Sequence, residues 1–306
     1  MKVLVATEKP FAKAATDGIA DIVKGAGMEL VLLEKYATKD ELYAAVADAD
    51  ALIIRSDKVT TEVVEAAKSL KIVVRAGAGY DNVDLGACTA KDIVVMNTPG
   101  QNSNAVAELA IGMMIFMSRT QFNPGTGSEI SGKTVGIHAY GNVGRLVGRY
   151  CKAMGMDVVA FDPYADPKVM EADGVKAVDS VEELYASSNF ISLHIPATEQ
   201  TKKSINYKLI TSMPKGATLV NTARKEVINE EELVKALDER SDLKYATDIA
   251  ADMQTVLNTK FGMRVFATTK KMGAETAEAN INAGLAAANQ IVDFLQNGNR
   301  KFQVNK

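Results

Sequence analysis

The sequence predicts an α/β protein with two doubly wound domains, each built on a parallel sheet with helices on both faces. Short apolar runs alternate with helical stretches along the chain, a pattern typical of βαβ units. The runs are apolar throughout, as expected for strands that are buried on both faces. The 306 residues are enough for two domains, since one domain usually takes about 150 residues.

The first alternating series lies in the N-terminal third of the chain. Its apolar, β-branched runs predict strands over residues 3–6, 29–33, 51–55 and 71–75. Between these strands, apolar residues recur at helical spacing and predict helices over residues 12–26, 39–46 and 60–69.

A second series begins at Thr134 and predicts the second domain. Its strands are expected over residues 134–138, 157–161, 189–194, 217–221 and 244–247, with a helix over 142–154. The last helical stretch of the chain is expected over residues 274–295. Asn297 and Gly298 then provide a helix stop signal. Segment 119–131, between the two series, is rich in turn residues and predicts a loop or hinge.

The composition excludes several functional classes. The net charge is −3, which argues against a nucleic-acid partner because such proteins usually carry a basic surface. Two cysteines and two histidines are too few for a disulfide framework or a multi-histidine metal site, so no metal is expected. The longest apolar stretch, residues 105–117, contains Glu108 and is too short to span a membrane. No export signal is evident at the N-terminus, so a cytoplasmic protein is expected.

The turn after the strand at 134–138 indicates a dinucleotide site of Rossmann type. Gly141 and Gly144 match the second and third glycines of the G-x-G-x-x-G fingerprint, while Ala139 replaces the first. We expect this alanine to be tolerated only if it avoids a positive φ. Asp162 ends the next strand, where a carboxylate would bind the ribose hydroxyls and favour NAD over NADP. A turn that binds no ligand is the alternative.

Other motifs resemble those of the D-isomer-specific 2-hydroxyacid dehydrogenases over nearly the whole chain, and most closely the phosphoglycerate dehydrogenases within that family. The segments that carry the resemblance are 75–84 (RAGAGYDNVD), 97–108, 194–201 (HIPATEQT) and 221–224 (NTAR), together with Asp248. The resemblance implies a discontinuous substrate-binding domain of flavodoxin-like type at residues 1–97 plus 276–306. It implies a Rossmann-like NAD-binding domain at 98–275, with the active site in the cleft between the two domains.

The resemblance also implies which residues bind the cofactor. Asp248 is expected to bind the nicotinamide amide, whereas His194 could equally serve only to satisfy backbone groups. The full expected set is Tyr140, Gly141, Asn142, Val143, Asp162, His194, Pro196, Thr201, Thr222 and Asp248.

Arg224 and Lys271 are the expected catalytic residues. An arginine fork binds a carboxylate with two hydrogen bonds and stays charged, so Arg224 suits the role of substrate anchor. Members of the family usually have an acid/base histidine where Lys271 stands, and a glutamate partner of that histidine where Met253 stands. Lys271 can act as the base if burial and a neighbouring guanidinium lower its pKa. Whether Asp252 replaces the glutamate is left open, and an exposed basic pair at 270–271 is the alternative.

The resemblance also implies which residues bind the substrate. Arg55, Ser56 and Lys58, in the substrate-binding domain, would bind a phosphate group, and Asn102, near the start of the NAD-binding domain, would contribute a further hydrogen bond. The backbone N–H groups of Gly77, Ala78 and Gly79 would bind the substrate carboxylate. A solvated loop at 55–58 and a simple glycine turn at 77–79 are the alternatives.

These expectations combine into one predicted activity, the NAD-dependent oxidation of D-3-phosphoglycerate to 3-phosphohydroxypyruvate, which leads into serine synthesis. No C-terminal regulatory domain is expected. A glyoxylate or hydroxypyruvate reductase is one alternative, and a non-catalytic NAD-sensing protein is another. The apolar helix at 105–117 resembles the family's dimer contact, so a homodimer is expected, although a buried core helix would show the same pattern.

Overall fold

The computed structural model describes residues 1–305, and the chain divides into two compact units. Unit 1 comprises Met1–Asn102 and Glu275–Lys306, and unit 2 comprises Ser103–Ala274. The first break in the chain lies at 102–103, whereas the sequence placed it at 97–98. Each unit is built on one parallel sheet, so the predicted fold class is confirmed.

Unit 1 has a five-stranded sheet in the order β2-β1-β3-β4-β5. The strands are β1 (Lys2–Thr7), β2 (Glu29–Glu34), β3 (Ala51–Ile54), β4 (Ile72–Arg75) and β5 (Val94–Asn97). The helices are α1 (Lys13–Gly25), α2 (Lys39–Val46), α3 (Thr61–Ala66), α4 (Leu85–Ala90) and, far along the chain, α12 (Ala277–Asn297).

Alternate residues of the central strand β1 pack on opposite faces of this sheet. Val3 and Val5 belong to the cluster that α1 and α12 cover, which includes Ile19 and Ile291. Leu4 and its same-face neighbours belong to the cluster that α2, α3 and α4 cover. Both faces are therefore covered by helices, which explains why the strands read as continuous apolar runs.

The last described residues extend the edge of this sheet beyond β5. The Val304 N–H donates to the Val95 carbonyl at 2.9 Å. The buried Asn305 side chain accepts from the Val95 N–H at 2.7 Å and donates to the Ile93 carbonyl at 2.9 Å. This segment occupies hydrogen-bonding groups that an open sheet edge would leave unpaired.

Unit 2 has a seven-stranded sheet in the order β12-β11-β10-β9-β6-β7-β8. The strands are β6 (Thr134–His138), β7 (Asp157–Phe161), β8 (Lys176–Ala177), β9 (Phe190–Leu193), β10 (Thr218–Asn221), β11 (Lys244–Thr247) and β12 (Val265–Ala267). The helices are α5 (Ser103–Ser118), α6 (Asn142–Ala153), α7 (Pro167–Ala172), α8 (Val181–Ser187), α9 (Tyr207–Ser212), α10 (Glu230–Glu239) and α11 (Gln254–Phe261).

Each sheet has a point where the strand order reverses, and these points are where doubly wound folds bind ligands. In unit 1 the reversal lies between β1 and β3, and in unit 2 it lies between β6 and β9. The carboxyl ends of these four strands are therefore where functional side chains are expected.

Helix α5 lies in the core of unit 2. Ala107, Ala110, Met114 and Met117 are almost completely buried and pack in the cluster that includes strand residue Val220. This burial accounts for the apolar sequence of the helix without a second subunit, so the homodimer stays a prediction. No helix within residues 1–305 combines the length and apolarity that a membrane crossing needs.

Candidate active site

The turn after β6 leads directly into α6. Ala139, which replaces the first fingerprint glycine, has a φ of 82°, so the alanine adopts the positive φ that we expected it to avoid. A Cβ at Gly144 would lie 2.2 Å from the Ala139 carbonyl oxygen, so only glycine fits there. A Cβ at Gly141 would meet nothing within 4 Å, which leaves open space over the turn.

Asp162 lies directly after β7 and faces this turn. Its Oδ2 accepts a hydrogen bond from the Tyr140 N–H at 2.8 Å, and its Oδ1 accepts one from the Tyr164 N–H at 2.8 Å. A carboxylate has about four acceptor sites, so it can still bind ribose hydroxyls. The Tyr140 ring is buried and its hydroxyl donates to Asp173, which leaves only the backbone of Tyr140 to face a ligand.

Asn142 and Val143 form the first turn of α6, where Asn142 is exposed and Val143 is half-buried. Backbone N–H groups in the first turn of a helix have no partner within the helix, and the helix dipole places partial positive charge there. The turn therefore has the geometry of a pyrophosphate cradle.

The segment after β9 supplies another side of the site. The His194 N–H donates to the His138 carbonyl, and the His194 Nε2 lies 2.9 Å from the Ser192 hydroxyl. The His194 ring thus contacts a side-chain hydroxyl, and its role at the cofactor stays a prediction. Burial lowers the pKa of both histidines, to about 4 for His138.

The loop that follows is closed by Thr201. Its hydroxyl donates to the Pro196 carbonyl at 2.5 Å and accepts from the Thr198 N–H at 2.7 Å. Thr201 thus holds Pro196 through the loop's own hydrogen bonds, and the role of both residues at the cofactor stays a prediction.

Thr222 follows β10 and is 5% exposed. Within residues 1–305 its buried hydroxyl oxygen has no hydrogen-bond partner, and such an unpaired group usually has a functional explanation. This hydroxyl, the open space over Gly141 and the remaining acceptor sites of Asp162 all fit a bound dinucleotide.

Asn221 shapes the turn that presents Arg224. Its side chain is buried; Nδ2 donates to the Arg224 carbonyl at 2.9 Å and Oδ1 accepts from the Ala223 N–H at 3.0 Å. The Arg224 Nη1 donates to the Ala223 carbonyl at 2.9 Å. Asn221 was not among the expected site residues, although it opens the N-x-A-R segment that carries the resemblance.

Lys271 shares an acceptor with Arg224. Its Nζ donates to the Ala223 carbonyl at 3.2 Å and lies 3.5 Å from Oδ1 of Asp248. The Lys271 side chain is 41% exposed. Partial burial and the Arg224 charge lower the pKa of Lys271 below its ordinary value, against the opposing effect of Asp248.

Asp248 is 1% exposed and faces Lys271 and the glycine after it. Its Oδ2 accepts from the Gly273 N–H at 2.7 Å. A Cβ at Gly273 would lie 2.8 Å from this oxygen, so the close approach requires glycine. The carboxylate expected at the nicotinamide is therefore also the nearest acidic partner of Lys271.

Asp252 does not replace the missing glutamate. Its carboxylate forms an exposed ion pair with Lys225, and its N–H donates to Glu230 at 3.0 Å.

In unit 1, Arg55 is held by several partners at the β1/β3 reversal. Its Nη1 donates to the carbonyls of Lys9 and Pro10 at 3.3 and 3.2 Å, and its Nη2 donates to Asn280 of α12. The guanidinium also lies 5.2 Å from the centroid of the Phe11 ring. Arg55 is thus an ordered side chain at the predicted site, whereas its neighbours Ser56 and Lys58 are exposed.

Asp57 ties the loop at 55–58 to the ends of three strands. This residue is 5% exposed. Its carboxylate accepts from the Glu8 N–H at 2.7 Å, the Tyr36 hydroxyl at 2.9 Å and the Arg55 N–H at 3.3 Å. Burial and the Asp57 contact raise the Tyr36 pKa. Asp57 was not among the expected site residues, because nothing in the sequence distinguishes a buried loop aspartate from a solvated one.

The glycine loop after β4 packs closely on its own unit. Gly77 has a φ of 148°, and a Cβ there would overlap the Arg75 guanidinium. The carbonyls of Gly77 and Ala78 accept from the Thr98 N–H and from Asn97. Within residues 1–305 the N–H groups of 77–79 donate no hydrogen bond, so they are available for an anion.

Asn102 is half-exposed and is the last residue of the first segment of unit 1. No group of three or more His, Cys, Asp or Glu side chains within residues 1–305 could hold a metal ion.

The chain is similar to known proteins in both sequence and fold. Residues 110–269 match the family model for the D-isomer specific 2-hydroxyacid dehydrogenase, NAD binding domain. A solved structure of NAD⁺-bound 3-phosphoglycerate dehydrogenase in Entamoeba histolytica is 50% identical, with a TM-score of 0.90, and covers 100% of this chain and 99% of that chain.

Two curated relatives differ in the activity that their names state. The D-3-phosphoglycerate dehydrogenase of Methanocaldococcus jannaschii is 37% identical over 273 residues, which are 85% of this chain and 52% of the relative. The hydroxypyruvate reductase of Thermotoga maritima is 36% identical over 283 residues, which are 86% of this chain and 90% of the relative. The chain spans about half the length of the curated phosphoglycerate dehydrogenases that it matches.

Proposed function

The chain belongs to the D-isomer-specific 2-hydroxyacid dehydrogenase family, and from this premise we propose that it oxidises D-3-phosphoglycerate to 3-phosphohydroxypyruvate with NAD. This reaction would place it at the entry to serine synthesis. Support comes from the similarity to phosphoglycerate dehydrogenases along nearly the full chain.

The observation that carries the proposal is the pairing of Arg224 and Lys271. Both side chains donate to the Ala223 carbonyl, at 2.9 and 3.2 Å, so an anchoring cation and a proton-transfer group lie side by side. Oxidation of a 2-hydroxy acid needs these two groups together, one for the carboxylate and one for the hydroxyl proton.

The proton step assigns a distinct role to each residue. The Lys271 Nζ, when neutral, takes the proton from the substrate's C2 hydroxyl as the hydride leaves C2. Arg224 stays charged throughout and binds the carboxylate and the developing 2-oxo oxygen. The Arg224 charge also favours neutral Lys271. In the reverse reaction, protonated Lys271 returns the proton to that oxygen.

NAD supplies the hydride acceptor when it is bound. Gly141, Asn142 and Val143 would hold its pyrophosphate, Asp162 its ribose hydroxyls, and Thr222 a polar group that the unpaired hydroxyl can satisfy. Tyr140 would contribute its backbone. Pro196 and Thr201 would line the site, together with His194, and Asp248 would bind the nicotinamide amide with its remaining acceptor sites.

Unit 1 would recognise the two ends of the substrate. The available N–H groups of 77–79 suit a carboxylate, and Arg55 suits a phosphate. Ser56, Lys58 and Asn102 would add hydrogen bonds and charge to the phosphate site. We retain the homodimer as a prediction beside this proposal.

A hydroxypyruvate reductase is the second candidate function. The named reductase from Thermotoga maritima is covered over 90% of its own length, which favours this reading. An NAD-sensing protein without catalysis is the third candidate, and the paired Arg224 and Lys271 argue against it.

A substrate panel separates the three candidates. We would measure NADH oxidation by the purified chain with 3-phosphohydroxypyruvate, hydroxypyruvate and glyoxylate. The proposal expects the highest kcat/KM for the phosphorylated substrate. Equal or higher values for the two unphosphorylated acids would move the assignment to the reductase. NAD binding without turnover of any acid would move it to the sensing protein.

A further inference from the structure

We infer that Asn280, on α12, is a positioning residue that sets the preference for phosphorylated over unphosphorylated substrates by holding Arg55. This inference rests on the proposed function. Asn280 is 225 positions away from Arg55 in the chain, and no motif of the sequence analysis included it.

Hydrogen bonds at both Nδ2 and Oδ1 fix the orientation of the Asn280 amide. Its Nδ2 donates to the Thr276 carbonyl at 2.8 Å, and its Oδ1 accepts from Arg55 Nη2. A carbonyl oxygen can only accept and a guanidinium can only donate, so a flipped amide would lose both hydrogen bonds. Asn280 therefore offers one defined acceptor to Arg55 at the first turn of α12.

Arg55 keeps donors for a ligand despite these contacts. A guanidinium has five N–H donors. The carbonyls of Lys9 and Pro10 and the Asn280 amide take three of them. The two that remain are enough for a bidentate contact with a phosphate.

The chemistry of the partners matters as much as their number. The Arg55 side chain donates to three oxygens, and all three are neutral. The Phe11 ring, which lies against the guanidinium, is also uncharged. The guanidinium is therefore held in place while its positive charge remains available to an anion. An acidic residue at position 280 would hold Arg55 as well but would neutralise it.

The experiment compares three variants on a matched pair of substrates. Asn280→Leu removes the acceptor, Asn280→Asp adds a negative charge, and Asn282→Leu is the control because Asn282 is an exposed asparagine on the same helix. We would measure kcat/KM for 3-phosphohydroxypyruvate and for hydroxypyruvate, which lacks only the phosphate. Inorganic phosphate, tested as an inhibitor of hydroxypyruvate reduction, provides a second readout.

We expect Asn280→Leu to lower kcat/KM for the phosphorylated substrate by about tenfold, mainly because KM rises. This is the effect expected when a hydrogen bond to a charged group is lost. Asn280→Asp should lower it further, while hydroxypyruvate turnover stays within about twofold and the control resembles wild type. Inhibition by inorganic phosphate should weaken in the same order.

If kcat/KM falls equally for both substrates, Asn280 has a merely structural role and the inference is overturned. The inference is also overturned if the ratio of the two kcat/KM values is unchanged in both Asn280 variants. If wild type shows no preference for the phosphorylated substrate, the proposed function fails instead. In that case the phosphate inhibition still decides whether Asn280 positions Arg55 for anions.

Discussion

Replacing Ala139 with glycine should stabilise the protein, although such a change usually does the opposite. Ala139 has a φ of 82°, and a left-handed backbone costs a residue with a Cβ about 1–2 kcal/mol. Glycine removes this cost but loses more conformational entropy on folding, at about 0.5–1 kcal/mol. The free energy of unfolding should therefore rise by about 0.5–1 kcal/mol, equivalent to a Tm increase of roughly 1–3 °C.

The assay is urea and thermal unfolding of wild type, Ala139→Gly and a matched control. Ala44→Gly serves as the control, because Ala44 is exposed and lies within α2. The control should lose about 0.5–1 kcal/mol, since only the entropy cost applies there. If Ala139→Gly destabilises the protein as much as Ala44→Gly does, the backbone strain at the turn is not present and the reasoning is refuted.

The remaining predictions concern the cofactor, the proton step and acid stability. Asp162→Ala should narrow the difference in Kd between NADH and NADPH, measured by the fluorescence of these reduced cofactors, and equal wild-type affinities would contradict the role of Asp162. Lys271→Met should lower kcat by about 10² to 10⁴ while NAD binding persists; near-normal turnover would exclude Lys271 as the base. Wild-type oxidation should rise with pH as Lys271 loses its proton, and Asp248→Asn should move this rise to lower pH, because the carboxylate raises the Lys271 pKa while Arg224 lowers it. The buried His138, with a pKa lowered from 6.5 to about 4, takes up a proton only on unfolding. Stability should therefore fall as pH drops below 6.5, and His138 should account for about 2 kcal/mol of the loss near pH 5. The buried His194 adds to the same loss, so His138→Gln should reduce the slope in urea unfolding without abolishing it, and an unchanged slope would count against the role of His138.

The strands with clear boundaries were predicted from sequence to the residue. The middle of Asp157–Phe161 is Val-Val-Ala, and the middle of Thr134–His138 is Val-Gly-Ile. Apart from Gly136, these residues are apolar and suit buried strands. Strands β5, β8 and β12 were missed. They have four, two and three residues, too few to show a clear periodicity.

Site features were predictable where the requirement concerns one residue type at one position, as for the glycine that the tight turn requires at position 144. It was not predictable where function depends on a partner that is distant in the chain. Asp248 meets the Gly273 N–H across 25 positions, and Asp57 meets Glu8 across 49. Side-chain contacts with distant backbone groups leave no local pattern, because only the fold brings the two together.

The split of unit 1 has a consequence for the order in which the protein matures during synthesis. The face of the unit 1 sheet that Ala283, Ala287 and Ile291 cover cannot be completed until α12 leaves the ribosome. All of unit 2 is translated first, and at about 5–20 residues per second this delay lasts on the order of ten seconds or more. Throughout that interval, the N-terminal strands present an apolar surface to chaperones and to other nascent chains. Unit 2, which is continuous in sequence, can meanwhile complete its own core.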